Sequence, residues 1–377
     1  MKSENELARF GVLPSKRHSG WLEISLRCWI RVLRLFRFEL TSKTGLTWSQ
    51  RWRAWRSGFM SQSWVVYELD RNQPDQYVSD IRQAAHQYRI NGFFNPIIGN
   101  KLVLSQLLAA RGLPHPKVIT IVQNGKLIEQ EKPFRQGLRK VLEHSLERFP
   151  SQVFRPTWCG SGQGVFFLRR KEGSLELNGR PVTLAEVCKL LSGLDRYLAT
   201  EFVEQADYAR SIYPGTTNTL RIMTLWDAAR GEAFAAAVTH RFGTSKSGLL
   251  DSFHGGRGGI SSAVNPATAT IGKAVARASS TRMEWLARHP DTGERIEGVE
   301  IPGFKACLEG VLDAAGGFSY CPLIGWDVVL TEGGYSIIEA NSLPAFTVTQ
   351  VHTPLLADPR TREVFSRWGM APRALPD

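Results

Sequence analysis

The chain has 377 residues, 42% of them hydrophobic, and its 47 Lys and Arg against 35 Asp and Glu leave a formal net charge of +12. That length and ordinary composition bury a sizeable core in two or three lobes of one enzyme-sized unit, and they exclude a disordered or low-complexity chain. Five cysteines, Cys28, Cys159, Cys188, Cys307 and Cys321, are scattered without CxxC spacing, and their odd number argues against a disulfide framework and favours a reducing cytoplasm.

The N-terminus carries no apolar signal core, and no later stretch offers ~20 uncharged apolar residues, so neither secretion nor a membrane span is expected. Residues 1–60 hold twelve Lys or Arg against four Glu, a local balance of +8. Within WLEISLRCWIRVLRLFRFEL (21–40), Arg27, Arg31 and Arg34 recur at helical spacing as one cationic stripe, with Trp21, Leu22, Trp29, Val32, Leu33, Phe36 and Leu40 on the other side. Such a helix could lie on an anionic membrane face, or pack onto the body with its arginines in water. RWRAWRSGF (51–59) interleaves Arg and Trp, but no base-reading or stacking motif accompanies it, so a nucleic-acid partner is not expected.

Residues 63–115 read as helices and short connectors. In NKLVLSQLLAARGLPHP (100–116), Leu102, Leu104, Leu107 and Leu108 form an apolar face, Gly112 ends the helix and Pro114 and Pro116 stop its extension. VITIVQNGKLIEQ (118–130) is a hairpin with an Asn-Gly turn, and VFRPTWCGSGQGVFFLRR (153–170) is strand, glycine-rich turn and strand. A helix is predicted over 183–194, an extended run over 196–205, and strands over 218–227 and 232–243. The glycine-rich FHGGRGGISSAV (253–264) reads as a loop leading to helices near 271–289 and 302–316. Antiparallel hairpins with interspersed helices give an α+β class, not a doubly wound parallel sheet.

GSGQGV (160–165) is followed by strand-like VFFL, where a dinucleotide fingerprint or a P-loop requires a helix. A glycine-rich hairpin can still cover phosphates with its backbone N–H groups, and a plain tight turn is the competing reading. In GWDVVLTEGGYSIIEAN (325–341), two apolar runs flank Glu332, Gly333 and Gly334. A hairpin centred on Gly333 sets Val328 opposite Ile338, Val329 opposite Ile337 and Asp327 opposite Glu339, with Asn341 on the same face. Opposed acids repel unless a cation lies between them, and Asp, Glu and Asn are hard oxygen ligands suited to Mg²⁺ shared with phosphates. Wet acids on a solvent-facing hairpin edge are the alternative. Arg221, in the apolar strand NTLRIMTL, calls for an anionic partner.

The chain order of Lys101, Arg155-Pro156, the glycine turn, Glu201 in TEFVEQ, Arg221 and the D…ExN hairpin resembles the ATP-grasp superfamily. The NTLRIMTL, GWDV and IIEAN blocks are similar to its sugar-transfer-associated branch, related to α-L-glutamate ligases, over roughly residues 95–360. The resemblance implies an ATP-grasp fold of two α+β lobes gripping nucleotide, preceded by an extra basic helical segment. The division it implies is 1–62 basic helical segment, 63–115 helical region, 116–210 smaller lobe and 211–377 larger lobe. It further implies that Lys101 and Arg155 meet phosphate, that Gly160, Ser161, Gly162 and Gly164 close over the triphosphate, and that Glu201, Phe202, Val203 and Glu204 form the adenine hinge, with Asp207 on the ribose. Arg221 would stabilise the γ-phosphoryl group, Asp327, Glu339 and Asn341 would hold Mg²⁺, and Arg241, His254 and Arg257 are candidates for an acidic substrate. Arg155 stands where the superfamily usually has Lys before Pro, which leaves room for altered activity.

The function so implied is an ATP- and Mg²⁺-dependent carboxylate–amine ligase working through an acyl phosphate. Its partners would be a small-molecule or lipid-linked sugar carboxylate and an amine, and its place the cytoplasm, with peripheral contact at the inner membrane face through residues 1–60. The alternative is a non-catalytic nucleotide-binding scaffold in envelope polysaccharide assembly. No GxSxG, HExxH or Ser-His-Asp signature competes with either.

Overall fold

The computed structural model describes residues 20–42, 44–129, 137–158, 162–248, 250, 251, 253, 258–277, 279 and 282–371. Among the described residues, six α-helices precede the first sheet: α1 (Gly20–Thr41), α2 (Trp48–Arg56), α3 (Ser61–Val66), α4 (Asp80–Asn91), α5 (Asn95–Gly99) and α6 (Lys101–Ala110). Their starts are chemically marked. Thr47 and Gln50 form a capping box at α2, and the Asn100 side chain accepts from the Leu102 and Val103 amides at 3.1 and 3.2 Å at α6. Beyond α6, Gly112 takes φ +66°, the left-handed turn expected of it.

The expected cationic stripe on α1 does not share one environment. Ile24 and Cys28 are buried and Arg31 Nη2 donates to Gln87 Oε1 at 2.9 Å, while Arg34 stays exposed. The helix therefore packs on the body through a face that includes Arg31, while Leu22, Leu26, Trp29, Leu33 and Leu40 remain outside.

The first sheet has seven strands in the order β2-β1-β7-β3-β4-β5-β6. These are β1 (Val118–Gln123), β2 (Lys126–Glu129), β3 (Ser151–Pro156), β4 (Phe166–Lys171), β5 (Ser174–Leu177), β6 (Arg180–Val182) and β7 (Tyr197–Glu201), with α7 (Leu138–Arg148) and α8 (Leu184–Ser192) between them. Asn124 and Gly125 both adopt positive φ, as a two-residue hairpin turn requires. Val141 and Leu142 of α7 and Val187 and Leu191 of α8 close a core over Val122, Phe154 and Leu168.

After α9 (Asp207–Ile212) comes a second seven-stranded sheet, ordered β12-β11-β10-β9-β8-β13-β14. Its strands are β8 (Thr219–Asp227), β9 (Glu232–Phe242), β10 (Ile260–Asn265), β11 (Thr270–Arg277), β12 (Met283–Leu286), β13 (Leu323–Thr331) and β14 (Gly334–Asn341), and α10 (Phe304–Gly317) packs Phe304, Cys307 and Val311 against Ile222, Trp326 and Val328. Two short helices, α11 (Thr347–Gln350) and α12 (Pro359–Arg367), follow.

Two expectations are corrected here. The helix near 271–289 is instead β11 and β12, because Ser261 and Ser262 pair with Val275 and Ala274 and extend the sheet; local alanine content yields to ladder hydrogen bonds and burial of Ile271 and Val275. The end of the segment read as a loop, 253–264, is strand β10.

The helical region is fastened to the second sheet beside the hairpin. Asn91 Nδ2 donates to the Leu323 and Ser342 carbonyls at 2.7 and 2.9 Å, and Gln87 Nε2 to the Pro344 carbonyl at 2.7 Å. Gln350 Oε1 accepts from the Val78 amide at 2.7 Å. These buried bonds fix the end of β14 against α4.

Candidate active site

Sheet register gathers the charged residues. Asp327 pairs with Arg221 on one side and Glu339 on the other, Arg221 pairs with Thr239, Thr219 with Arg241, and Gly325 with Asn341. Directly paired residues point the same way and positions two apart share a face, so Thr219, Arg221, Arg241, Asp327, Glu339 and Asn341 face one side of the second sheet.

The expected opposition of Asp327 and Glu339 is present, but Val328 pairs with Ile337, not Ile338. Ile338 is an extra residue, a bulge of the kind that re-aims the backbone beside functional sites. Its carbonyl accepts from Arg155 Nη1 at 2.9 Å, tying β3 of the first sheet to β14 of the second.

The polar network is dense. Arg221 donates to both Asp327 oxygens, Nε to Oδ1 and Nη2 to Oδ2 at 3.0 Å, and Arg241 Nη2 lies 3.1 Å from Asp327 Oδ2. Asp251, whose place the sequence did not reveal, lies 3.5 Å from Arg241 Nε and accepts from the Thr219 amide at 3.0 Å. Lys101 Nζ lies 3.3 Å from Glu339 Oε1, and its backbone amide donates to the Thr157 carbonyl at 2.9 Å. Burial alone would raise the Asp327 carboxyl, but the Arg221 and Arg241 guanidiniums outweigh it and hold the group below the usual range. Asp251 is pushed up by burial, which Arg241 only partly offsets. Burial lowers Arg155, with Glu339 opposing, and its Nε is buried without a hydrogen-bond partner among the described residues.

A cavity of about 340 Å³ opens between the two sheets. Lys101, Arg155, Gly162, Glu201, Phe202, Val203, Arg221, Arg241, Asp327, Glu339 and Asn341 all line it, together with the unforeseen Thr219, Asp251 and Phe253. Glu204 lines the neighbouring cavity instead. Asp207 lines neither: its carboxylate is exposed and pairs with Arg210 at 3.2 Å. Gly160, Ser161, His254 and Arg257 lie outside the described residues.

The glycine turn approaches the second lobe. Gly162 takes φ +66°, and a Cβ there would stand 2.3 Å from Leu250 Cδ1, so another residue would strain the backbone and require the Leu250 side chain to shift. At the hinge, the Phe202 amide donates to the Ser151 carbonyl at 3.2 Å, whereas the Val203 amide has no partner among the described residues. Val203 lines the cavity together with Val153 and Phe167.

Among the described residues, no three His, Cys, Asp or Glu side chains form a metal cage. The mixed set Asp327, Glu339 and Asn341 fits a hard cation that takes its remaining ligands from phosphate and water. Glu339 is the more available carboxylate, being about a quarter exposed, since both Asp327 oxygens already accept from arginine.

The chain matches the family described as sugar-transfer associated ATP-grasp over residues 84–364. It is similar to D-alanyl-alanine synthetase A from Vibrio cholerae O1 biovar eltor str. N16961 (10% identity, TM-score 0.41, covering 76% of this chain and 67% of that one). It is similar also to D-alanine–D-alanine ligase from Bacillus anthracis (12%, 0.38, 84% and 78%) and to the ATP-grasp ligase PsnB with its minimal precursor (12%, 0.34, 68% and 56%). No curated protein matches it in sequence.

Proposed function

This chain belongs to the sugar-transfer associated ATP-grasp family, and from that premise we propose that it is an ATP- and Mg²⁺-dependent carboxylate–amine ligase. One observation carries the reading: Lys101, Arg155, Arg221 and Arg241 line one cavity with Asp327, Glu339 and Asn341. Phosphoryl transfer asks chiefly for positioning and charge neutralisation, which this set supplies.

In this reading adenine lies against Val153, Phe167 and Phe202 and accepts from the Val203 amide, while the Gly162 turn covers the triphosphate. Lys101 and Arg155 hold phosphate oxygens. A substrate carboxylate oxygen attacks the γ-phosphorus, the bond to ADP breaks, and an acyl phosphate forms. Arg221 and Arg241 neutralise charge on the transferring group. A neutral amine then attacks the acyl carbon, phosphate leaves as the C–N bond forms, and the surplus proton passes to solvent. Asp327, Glu339 and Asn341 would hold Mg²⁺, which when bound neutralises charge on the phosphates. The acid would be a carboxyl-bearing sugar or cell-surface polysaccharide precursor, free or carried on lipid, and the protein would work in the cytoplasm.

The test is ADP release against a panel of carboxylates and amines, in the native chain and in Glu339→Gln. Turnover in the native chain and a loss of roughly 10²-fold or more in the variant supports the ligase. The buried clamp of Arg155 on the Ile338 carbonyl favours a second reading, a nucleotide-binding scaffold in envelope assembly. Nucleotide binding without turnover under every pairing would select that one.

A further inference from the structure

Helix α1 has two apolar faces, and the fold uses one. Inward, Ile24 and Cys28 are buried, Ile24 Cδ1 lying 3.9 Å from where a Cβ on Gly92 would stand. Glu39 is buried on the same side, accepting from Trp55 Nε1 at 3.1 Å and the Ser61 amide at 2.9 Å. Outward, Leu22, Leu26, Trp29, Leu33, Phe36 and Leu40 follow one another by three or four residues and so form one line along the helix. They are 77, 61, 66, 60, 48 and 87% exposed. On α2, Trp48 and Trp52, four apart, are 79 and 61% exposed. Scattered exposed leucines are ordinary, but a continuous line of this size marks an interaction surface.

Charge identifies the occupant. Of the acids in α1, Glu23 is held by Arg27 at 2.7 Å and Glu39 is buried, so the outward face carries no free carboxylate. Arg34 and Arg37 on α1 and Arg56 on α2 are exposed and have no acidic partner among the described residues. Leu, Phe and Trp beside unpaired arginines is the composition of a helix that lies in the headgroup boundary of an anionic bilayer. No helix of the described residues is long and apolar enough to cross a membrane, so the contact is of the surface kind. Phe93, Phe94 and Ile97, just beyond α4, are exposed as well, and exposed Trp158, at the end of β3, comes 3.7 Å from where a Cβ on Gly99 would stand, two residues before Lys101.

We propose that the outward face of α1, with Trp48 and Trp52 of α2, docks the protein on an anionic lipid surface, so that its acceptor arrives carried on lipid. The choice of acceptor rests on the ligase reading, whereas docking does not. Full-length protein is therefore sedimented without nucleotide with vesicles of phosphatidylcholine, with and without phosphatidylglycerol. Native protein binds the anionic vesicles and loses binding as salt rises. Leu33→Glu/Phe36→Glu binds at least about tenfold more weakly with an unchanged melting temperature, and Arg34→Glu/Arg37→Glu loses the preference for phosphatidylglycerol. Failure of the native chain to bind anionic vesicles overturns the proposal, as does undiminished binding by both variants. A native dimer that Leu33→Glu/Phe36→Glu converts to monomer also overturns it, by giving the face to a second copy of the chain.

Discussion

Replacing Arg221 by Met tests the centre of the site through stability. The Arg221 and Asp327 side chains are 8 and 7% exposed and joined by two charge-assisted hydrogen bonds. Breaking such a pair from one side strands a buried carboxylate, at a cost of about 3–5 kcal/mol. Arg241 stays 3.1 Å from Asp327, so the low end applies, about 3 kcal/mol. With an unfolding entropy of roughly 2.1 cal/mol/K per residue, that lowers the melting temperature of the whole chain by about 4 °C. Adding Asp327→Leu removes the stranded charge, while Arg241 keeps Asp251 at 3.5 Å, so the double variant should recover about 1–2 kcal/mol relative to Arg221→Met. Urea unfolding at pH 7 measures both. The sign of the pH dependence follows from the depressed folded-state carboxyl of Asp327: its contribution is present above the ordinary carboxylate range and lost as pH falls through the folded value. Arg221→Met should move that loss to higher pH. A loss under about 1 kcal/mol in the single variant, or losses that simply add in the double, would refute a buried pair at the heart of the site.

Two further outcomes are expected. Asp80, accepting from the Met60 amide at 2.7 Å and Ser63 Oγ at 2.8 Å, is raised to about 6, chiefly by burial. A raised carboxyl keeps its proton in the folded state after the unfolded chain has lost it, so stability falls as pH rises from the ordinary carboxylate range to about 6; urea midpoints across that window should flatten in Asp80→Asn. Glu339→Gln removes the carboxylate 3.3 Å from Lys101 Nζ, so affinity for metal-free ADP, read by calorimetry in chelator, should rise severalfold while Mg²⁺-dependent turnover falls. Unchanged metal-free affinity would place Lys101 away from the phosphates.

Most of the two sheets was legible because buried strands leave period-two and β-branched signatures, and the Asn124-Gly125 turn announced its hairpin. The hairpin at Asp327 and Glu339 was legible for the same reason. Its bulge was not, because the extra residue at Ile338 answers to Arg155, more than 180 positions away. Arg221 declared its need for an anion, but local sequence could not say that the anion was Asp327, the residue assigned to a cation. Asp251 was invisible: nothing in LLDSF indicates that it reaches Thr219 and Arg241. Residues 271–289 misled because AVARA favours a helix until β10 offers its ladder. On α1 the periodicity was plain, and which side turned inward depended on Gln87 of α4 and Gly92 just beyond it.

The pairings in the cavity bear on how such a site can exist before its ligands arrive. Four cations and four carboxylates, Glu201, Asp251, Asp327 and Glu339, line one cavity, where an unpaired buried charge would cost several kcal/mol. Each described pairing sets a cation against an anion that the proposed ligands would replace. Lys101 rests on Glu339, and Arg221 and Arg241 rest on Asp327. If phosphate oxygens take the cations and the carboxylates turn to a divalent ion, every contact is exchanged for one of the same sign. Neither partner then waits unpaired. Arg155 is different, because its bond goes to the neutral Ile338 carbonyl and its Nε has no acceptor among the described residues. No carboxylate has to be drawn off that guanidinium, so in the ligase reading Arg155 would be able to meet a phosphate before Lys101 and Arg221 exchange their carboxylates.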